Sequence, residues 1–255
     1  MNVIDAFRLD GKVALVTGAG RGLGRAMALG LAEAGADIAG MYNTRCDETQ
    51  AAVEGLGRRF LPIQCNLAEA DVPALQAIVE RVVAGLGGLD ILVNNAGTIR
   101  RAPALEFSQE DWDEVMQVNL RSLFFLSQAA ARHMAAQGGG KIIHVASMLS
   151  FQGGITVPSY TAAKSGVAGL TRAMANEWAP LGINVNAIAP GYMATDNTAA
   201  LRANPDRNRA ILDRIPAGDW GQADDLKGLV VLLASDASRY MHGSIVPVDG
   251  GWLAR

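Results

Sequence analysis

Short apolar runs alternate with longer stretches of helical periodicity along nearly the whole chain. The runs at 12–17, 37–41, 60–65, 89–93, 141–146, 184–189 and 244–248 are rich in Val, Ile, Leu and Ala, with little apolar/polar alternation. A strand that is apolar at nearly every position is buried on both faces, as in a parallel sheet covered on each side. Between these runs, residues 22–34, 47–55, 72–86, 109–137, 160–178 and 226–234 carry apolar side chains at helical spacing. The alternation predicts an α/β fold: a single-domain, Rossmann-type, doubly wound parallel sheet of about seven strands with helices on both faces. No linker-like composition divides residues 1–255. Two segments break the rhythm: a glycine-rich turn after the first strand, and a polar insert at about 192–215 after the sixth. Sheets of this kind bind ligands beyond the carboxyl ends of their strands. Chemistry is therefore expected where strands one, four, five and six end.

Composition narrows the choice. Half of the residues are hydrophobic, only 5% are aromatic and 29 are glycine, which suits helices packed closely on a sheet. The net charge of −3 has no dominant sign, so no nucleic-acid or anionic-membrane partner is expected. Cys46 and Cys65 have no ligand or redox spacing and read as free thiols in a reducing compartment. No basic segment followed by an apolar run opens the chain, and no apolar stretch approaches the ~18–20 residues of a membrane span. A cytoplasmic protein is expected. His133, His144 and His242 show no metal-ligand spacing, and Ser147 lies in no G-x-S-x-G elbow. Neither a metal site nor acyl-enzyme chemistry is expected.

The turn Thr17-Gly18-Ala19-Gly20-Arg21-Gly22-Leu23-Gly24 stands between a strand and a helix. Its glycines follow GxxxGxG through Gly18, Gly22 and Gly24 rather than GxGxxG, because Leu23 occupies the last glycine's place. Glycine permits positive φ and a close approach of backbone to a pyrophosphate. The helix that follows directs free N–H groups and partial positive charge at such an anion. Further on, Ser147 ends the fifth strand, and Tyr160 and Lys164 stand four residues apart on a predicted helix, hence on one face. An ordinary tyrosine titrates near ~10, too high for efficient proton exchange at neutral pH. Lowering it by about three units takes roughly 4 kcal/mol, which one cation about 4 Å away can supply at an intermediate dielectric. On this reading Lys164, with a positively charged oxidised nicotinamide, acidifies Tyr160, and Ser147 orients a substrate oxygen.

The glycine turn, Asn94-Asn95-Ala96-Gly97, Asn119, Ser147, Tyr160/Lys164 and Pro190-Gly191 together resemble the short-chain dehydrogenase/reductase family over essentially the whole chain. The resemblance implies a nicotinamide-dependent oxidoreductase with Tyr160 as general acid/base and Asn119 holding a water of the proton relay. Lys164 would also bind the nicotinamide ribose. Gly18, Arg21, Gly22, Leu23 and Gly24 would surround the pyrophosphate. Asn43, Asn66 and Leu67 would lie on the adenosine side, and Asn94, Ala96 and Gly97 would stabilise the central strand and touch the adenosine side of the cofactor. Pro190, Gly191, Met193 and Thr195 would meet the nicotinamide carboxamide. Homotetramers are common in this family, and the apolar 245–248 stretch offers a surface for one.

An acidic residue usually closes the second strand of NAD-binding sheets. Tyr42-Asn43 stands there instead, and Arg21 and Arg45 could receive a 2′-phosphate. Both NAD and NADP are therefore expected to serve, with a slight lean to NAD from the narrower resemblance. That resemblance is to family members acting on deoxygluconate-type sugar acids in pectin and uronate breakdown. It is carried by Arg59-Phe60-Leu61, Thr98-Ile99-Arg100-Arg101, 146–154, Ile215-Pro216-Ala217-Gly218 and 248–255. It implies hydride transfer between the nicotinamide and a hydroxyl or keto carbon of a sugar acid. A small acid with several hydroxyls needs a cation and convergent polar groups. Arg100 or Arg101 is expected to supply the cation, and Ser147, Ser150, Gln152 and Tyr192 the polar contacts. Two other readings compete. One is a 3-oxoacyl-carrier-protein reductase, weakened because Asn176 stands where that group commonly has an arginine. The other is a non-catalytic dinucleotide-binding protein, weakened by the presence of both Tyr160 and Lys164.

Overall fold

A computed structural model describes residues 2–255. Seven parallel strands form its one sheet: β1 (Val13–Thr17), β2 (Asp37–Tyr42), β3 (Phe60–Gln64), β4 (Ile91–Asn94), β5 (Gly140–Val145), β6 (Ile183–Pro190) and β7 (Ile245–Val248). Their spatial order is β3-β2-β1-β4-β5-β6-β7, so the direction of winding reverses between β1 and β4. The apolar runs are explained by burial on both faces. Val13 and Leu15 join Met41, Leu92, Ile142 and Val185 in a core covered by α3 (Val72–Leu86) and α5 (Ser122–Gln137), with Met174 of α6 (Pro158–Trp178). Ala14 and Val16 join Ile38, Val93, Ile143 and Ile188 in the opposite core, beneath α1 (Gly22–Glu33) and α9 (Lys227–Ala234), with Val53 of α2 (Asp47–Gly55).

Local signals set several boundaries. Asp71 caps α3 by accepting from the Ala74 N–H at 2.9 Å, and Gly87, with φ 93°, ends it in the left-handed conformation. Pro158 starts α6 two residues ahead of Tyr160, at a position where a missing N–H costs nothing. The helix expected over 109–137 is not continuous. It runs as α4 (Gln109–Met116), widens into a π turn over Gln117–Arg121, and resumes as α5. Asn119 sits in that π turn, 1% exposed, and its amide donates to the Val115 carbonyl at 2.9 Å and to the Thr98 carbonyl at 2.9 Å. Apolar periodicity alone does not register such a widening, which re-aims one polar side chain without breaking the buried stripe.

The polar insert is also more ordered than its composition suggests. It holds two short helices, α7 (Ala199–Ala203) and α8 (Pro205–Leu212), the second capped by Asn204 through the Arg207 N–H. No helix among the described residues is long and apolar enough to cross a membrane, and no group of His, Cys, Asp and Glu could hold a metal ion.

Candidate active site

One cleft of about 1480 Å³ opens over the carboxyl ends of the strands and runs from the glycine turn to the insert. It is larger than the few hundred to ~1,000 Å³ typical of a single small-ligand pocket, as suits a dinucleotide with a second small molecule. Gly18, Arg21, Gly22, Leu23 and Gly24 form its floor at one end. Gly18 and Gly22 have φ of 67° and 55°, a conformation most side chains avoid. A Cβ on Gly24 would collide with the Gly18 carbonyl and the Asn95 amide, whereas one on Gly22 would meet nothing nearer than Thr195, at 3.9 Å. The turn is thus tight against the protein beneath and open toward the cleft. That is the shape a pyrophosphate needs at a helix N-terminus. Asn43, Asn66 and Leu67 line the adjoining wall, Ala96 and Gly97 the middle, and Pro190, Gly191, Met193 and Thr195 the far side.

Ser147, Tyr160 and Lys164 meet in the middle of this cleft. Ser147 follows β5 directly, and its hydroxyl accepts from the Leu149 N–H at 3.2 Å. Tyr160 and Lys164 share one face of α6, with Lys164 Nζ 5.6 Å from the Tyr160 ring centroid. Lys164 is 3% exposed and donates to the Val145 carbonyl at 2.6 Å. Burial lowers its pKa to about 8. Burial likewise holds the Tyr160 phenol above its ordinary value, opposed by a hydrogen bond with Ser147 and by the charge of Arg101. The charge of Arg101 thus joins Lys164 at the phenol, while Lys164 Nζ, still over the Tyr160 ring, also donates to the Val145 carbonyl.

Beside this group, the buried Asn119 Oδ1 has no hydrogen-bond partner, and a Cβ on Gly97 would stand 2.6 Å from it. A glycine there lets the backbone pass close to the oxygen, which remains a buried acceptor that no protein donor satisfies.

A family model described as enoyl-(acyl carrier protein) reductase, of the short-chain alcohol dehydrogenase type, matches residues 18–253. This chain is a short-chain dehydrogenase/reductase. Among curated proteins it is similar to 2-dehydro-3-deoxy-D-gluconate 5-dehydrogenase of Escherichia coli, 61% identical over 99% of this chain and 100% of that one. A solved structure from Agrobacterium tumefaciens with bound NADP is 54% identical, with a TM-score of 0.92 over 98% of this chain and 100% of that one. The gluconate 5-dehydrogenase of Burkholderia cenocepacia, solved with NADP and tartrate, is 41% identical, with a TM-score of 0.92 over 100% of both chains. The fold and family together make the protein an NAD(P)-dependent oxidoreductase.

Within this dehydrogenase/reductase, some expected site residues take other places. Asn94 does not line the cleft. It is 4% exposed, and its amide donates to Ser127 Oγ at 2.9 Å, in a buried chain that continues to His144 and Thr171. Its neighbour Asn95 reaches the glycine turn instead: its N–H donates to Thr17 Oγ1 and its amide to the Thr17 carbonyl at 2.8 Å. Adjacent residues on a strand point to opposite faces, so the choice between two asparagines rested on register. Arg100 also fails as a substrate ligand. It is ion-paired to Glu114 and Asp111 and lies outside the cleft wall, leaving Arg101 as the member of that pair facing inward. Ser150 is a brace, its hydroxyl donating to the Lys164 carbonyl at 2.7 Å and accepting from the Ser147 N–H. Gln152 and Tyr192 line the cleft as expected. Sequence reasoning missed Trp252, which reaches the cleft from the C-terminal segment, and Arg214 at the end of the insert. The only available hint was a tryptophan directly after Gly250-Gly251.

Proposed function

We propose that this protein interconverts a hydroxyl and a keto group on a deoxygluconate-type sugar acid, with a nicotinamide dinucleotide as hydride partner. The observation that carries the reading is the meeting of Ser147, Tyr160 and Lys164 in a cleft that also contains Arg101, free of any carboxylate partner among the described residues. The named activities of the similar proteins support the substrate class.

When bound, the nicotinamide accepts or donates the hydride. Ser147 holds the substrate oxygen through its hydroxyl. Tyr160 takes the proton in oxidation and returns it in reduction. Burial alone holds the phenol too high for that exchange, so positive charge must gather around it. Arg101 contributes from one side. Lys164 contributes as an ammonium, and its pKa near 8 leaves it charged at neutral pH. Asn119 Oδ1 holds the water through which protons reach bulk solvent.

Both dinucleotides are proposed to serve. Arg45 lines the adenosine end without a carboxylate partner among the described residues, and no acidic side chain stands at Asn43 to repel a 2′-phosphate. The lean to NAD rests on resemblance alone, while NADP is the dinucleotide in the solved relatives. A kcat/KM ratio above about a hundredfold, roughly 2.7 kcal/mol, in favour of either would end dual use. A homotetramer is proposed on the half-exposed β7, with sedimentation as its check. A reducing, cytoplasmic setting is proposed on the two free thiols.

The functional test follows reduced-nicotinamide absorbance with both dinucleotides against keto- and deoxy-sugar acids and an acyl thioester. A sugar acid should be the best substrate. Greater activity on the thioester would replace this reading with the carrier-protein reductase.

A further inference from the structure

We propose that Arg214 is the anchor for the substrate's carboxylate, held in readiness by Trp252 and Gln152. This rests on the sugar-acid reading above and names a specificity-determining residue for it. The Arg214 guanidinium lies 4.0 Å from the centroid of the Trp252 ring. It also donates to Gln152 Oε1 at 3.3 Å, and the same oxygen accepts from Trp252 Nε1 at 3.3 Å. Three side chains from three distant parts of the chain thus fix one another on the cleft wall.

The other cations of the cleft are placed for different work. Arg21 is paired with Asp196, and Arg25 with Glu48. Arg45 stands at the adenosine end, after β2. Lys164 is turned to the Val145 carbonyl. Arg101 stands toward the Tyr160 end of the wall, where its charge favours the phenolate, and its guanidinium donates to the Asn197 carbonyl at 3.5 Å. A sugar acid oxidised away from its first carbon carries its carboxylate several bonds from that point, so a second cation is needed farther along the wall. Arg214 and Arg207 both lack a carboxylate partner among the described residues, but only Arg214 is held by other side chains. A guanidinium stacked on an indole keeps its charge and has lost most of its rotamer freedom, so pairing with a carboxylate costs little further ordering. Its planar fork matches a carboxylate with two parallel hydrogen bonds. Tyr192 stands edge-on to Trp252, 4.8 Å between centroids, and continues the wall with an aromatic surface for the sugar's C–H face.

The test compares wild type with Arg214→Gln and Arg214→Met, using NADP with 2-dehydro-3-deoxy-D-gluconate and with its uncharged carboxamide. Removing a charge-assisted hydrogen bond should raise KM for the acid by about 10- to 100-fold. KM for the carboxamide and for NADP should stay within about twofold, and kcat within about threefold, with Arg214→Lys intermediate. Equal losses on both substrates, or an unchanged KM for the acid in either neutral variant, would overturn the assignment. Wild type that prefers the acid while Arg214→Gln keeps that preference refutes the anchor alone. Wild type inactive on any sugar acid refutes the proposed function and the anchor with it.

Discussion

The glycine turn after β1 and the insert after β6 face each other across the cleft, and they are held in place in opposite ways. The turn is fixed from within a few residues and from the next strand: two positive-φ glycines, plus Asn95 bonded to Thr17. The insert has a small core of its own, in which Ile211, Ile215 and Trp220 pack with Met148 and Trp252. Those residues come from the insert, the stretch just after it, the loop after β5 and the C-terminal segment. The dinucleotide end is thus written locally, as backbone geometry. The substrate end is written in contacts between segments far apart in the chain. A turn of the first kind can serve any substrate, while a wall of the second kind can change its lining without disturbing the cofactor.

The largest expected effect lies between the two regions. Tyr160→Phe should lower kcat by about 10²- to 10⁴-fold with both ends intact, so NADP affinity by fluorescence titration stays within about twofold. Turnover above a tenth of wild type would mean that another group handles the proton. Trp252→Ala removes the shared member of the insert's core, and burial of this kind is worth about 3–5 kcal/mol. Steady-state kinetics should show a raised KM for the sugar acid with NADP binding little changed; a matching loss for NADP would break the contrast.

Acid should loosen both regions at once, because β5 lies in the sheet between the strands that carry them. His144 of β5 is fully buried between Ser127 and Thr171, and burial, then the charge of Lys164, lowers its pKa from 6.5 to about 3. The unfolded chain therefore binds the proton first as pH falls. The stability present above pH 6.5 is lost progressively toward pH 3, by several kcal/mol. Denaturant melts across that window should show it, and a flat profile down to pH 4 would contradict a buried neutral imidazole. Gly24→Val forces a side chain against the Gly18 carbonyl, an overpacking of about 1–3 kcal/mol. It should weaken NADP more than sugar acid, the reverse of Trp252→Ala. The smallest effect belongs to the one ion pair that joins the regions among the described residues, Arg21 with Asp196 at 2.6 Å, where both side chains are 76% exposed. Arg21→Ala should change melting stability by less than about 1 kcal/mol, and a larger loss would mean that the two ends support each other directly.

How much of this was legible in advance follows the same division. Residues 12–17 read as a doubly buried strand, the glycines after it as an anion turn, and Tyr160 and Lys164 as neighbours on one helix face. Each depends on φ/ψ preference or on a period of two or 3.6 residues, and such properties travel with the chain itself. The choice of Asn95 over Asn94, the removal of Arg100 by Glu114 and Asp111, and the π turn that aims Asn119 were not legible. Neither was the second cation at the phenol, Arg101, which comes from the loop after β4.

By itself the amino-acid sequence determined the parallel sheet, the glycine turn after its first strand and the shared helix face of the proposed proton-handling residues. Only the tertiary structure decided which charged side chains are already neutralised by a partner and which stand free in the cleft. It alone brought Gln152, Arg214 and Trp252 to one point on the substrate wall. The reason is physical: local conformation depends on neighbours in sequence, whereas the pairing and burial of a charge depend on whatever the folded chain places beside it.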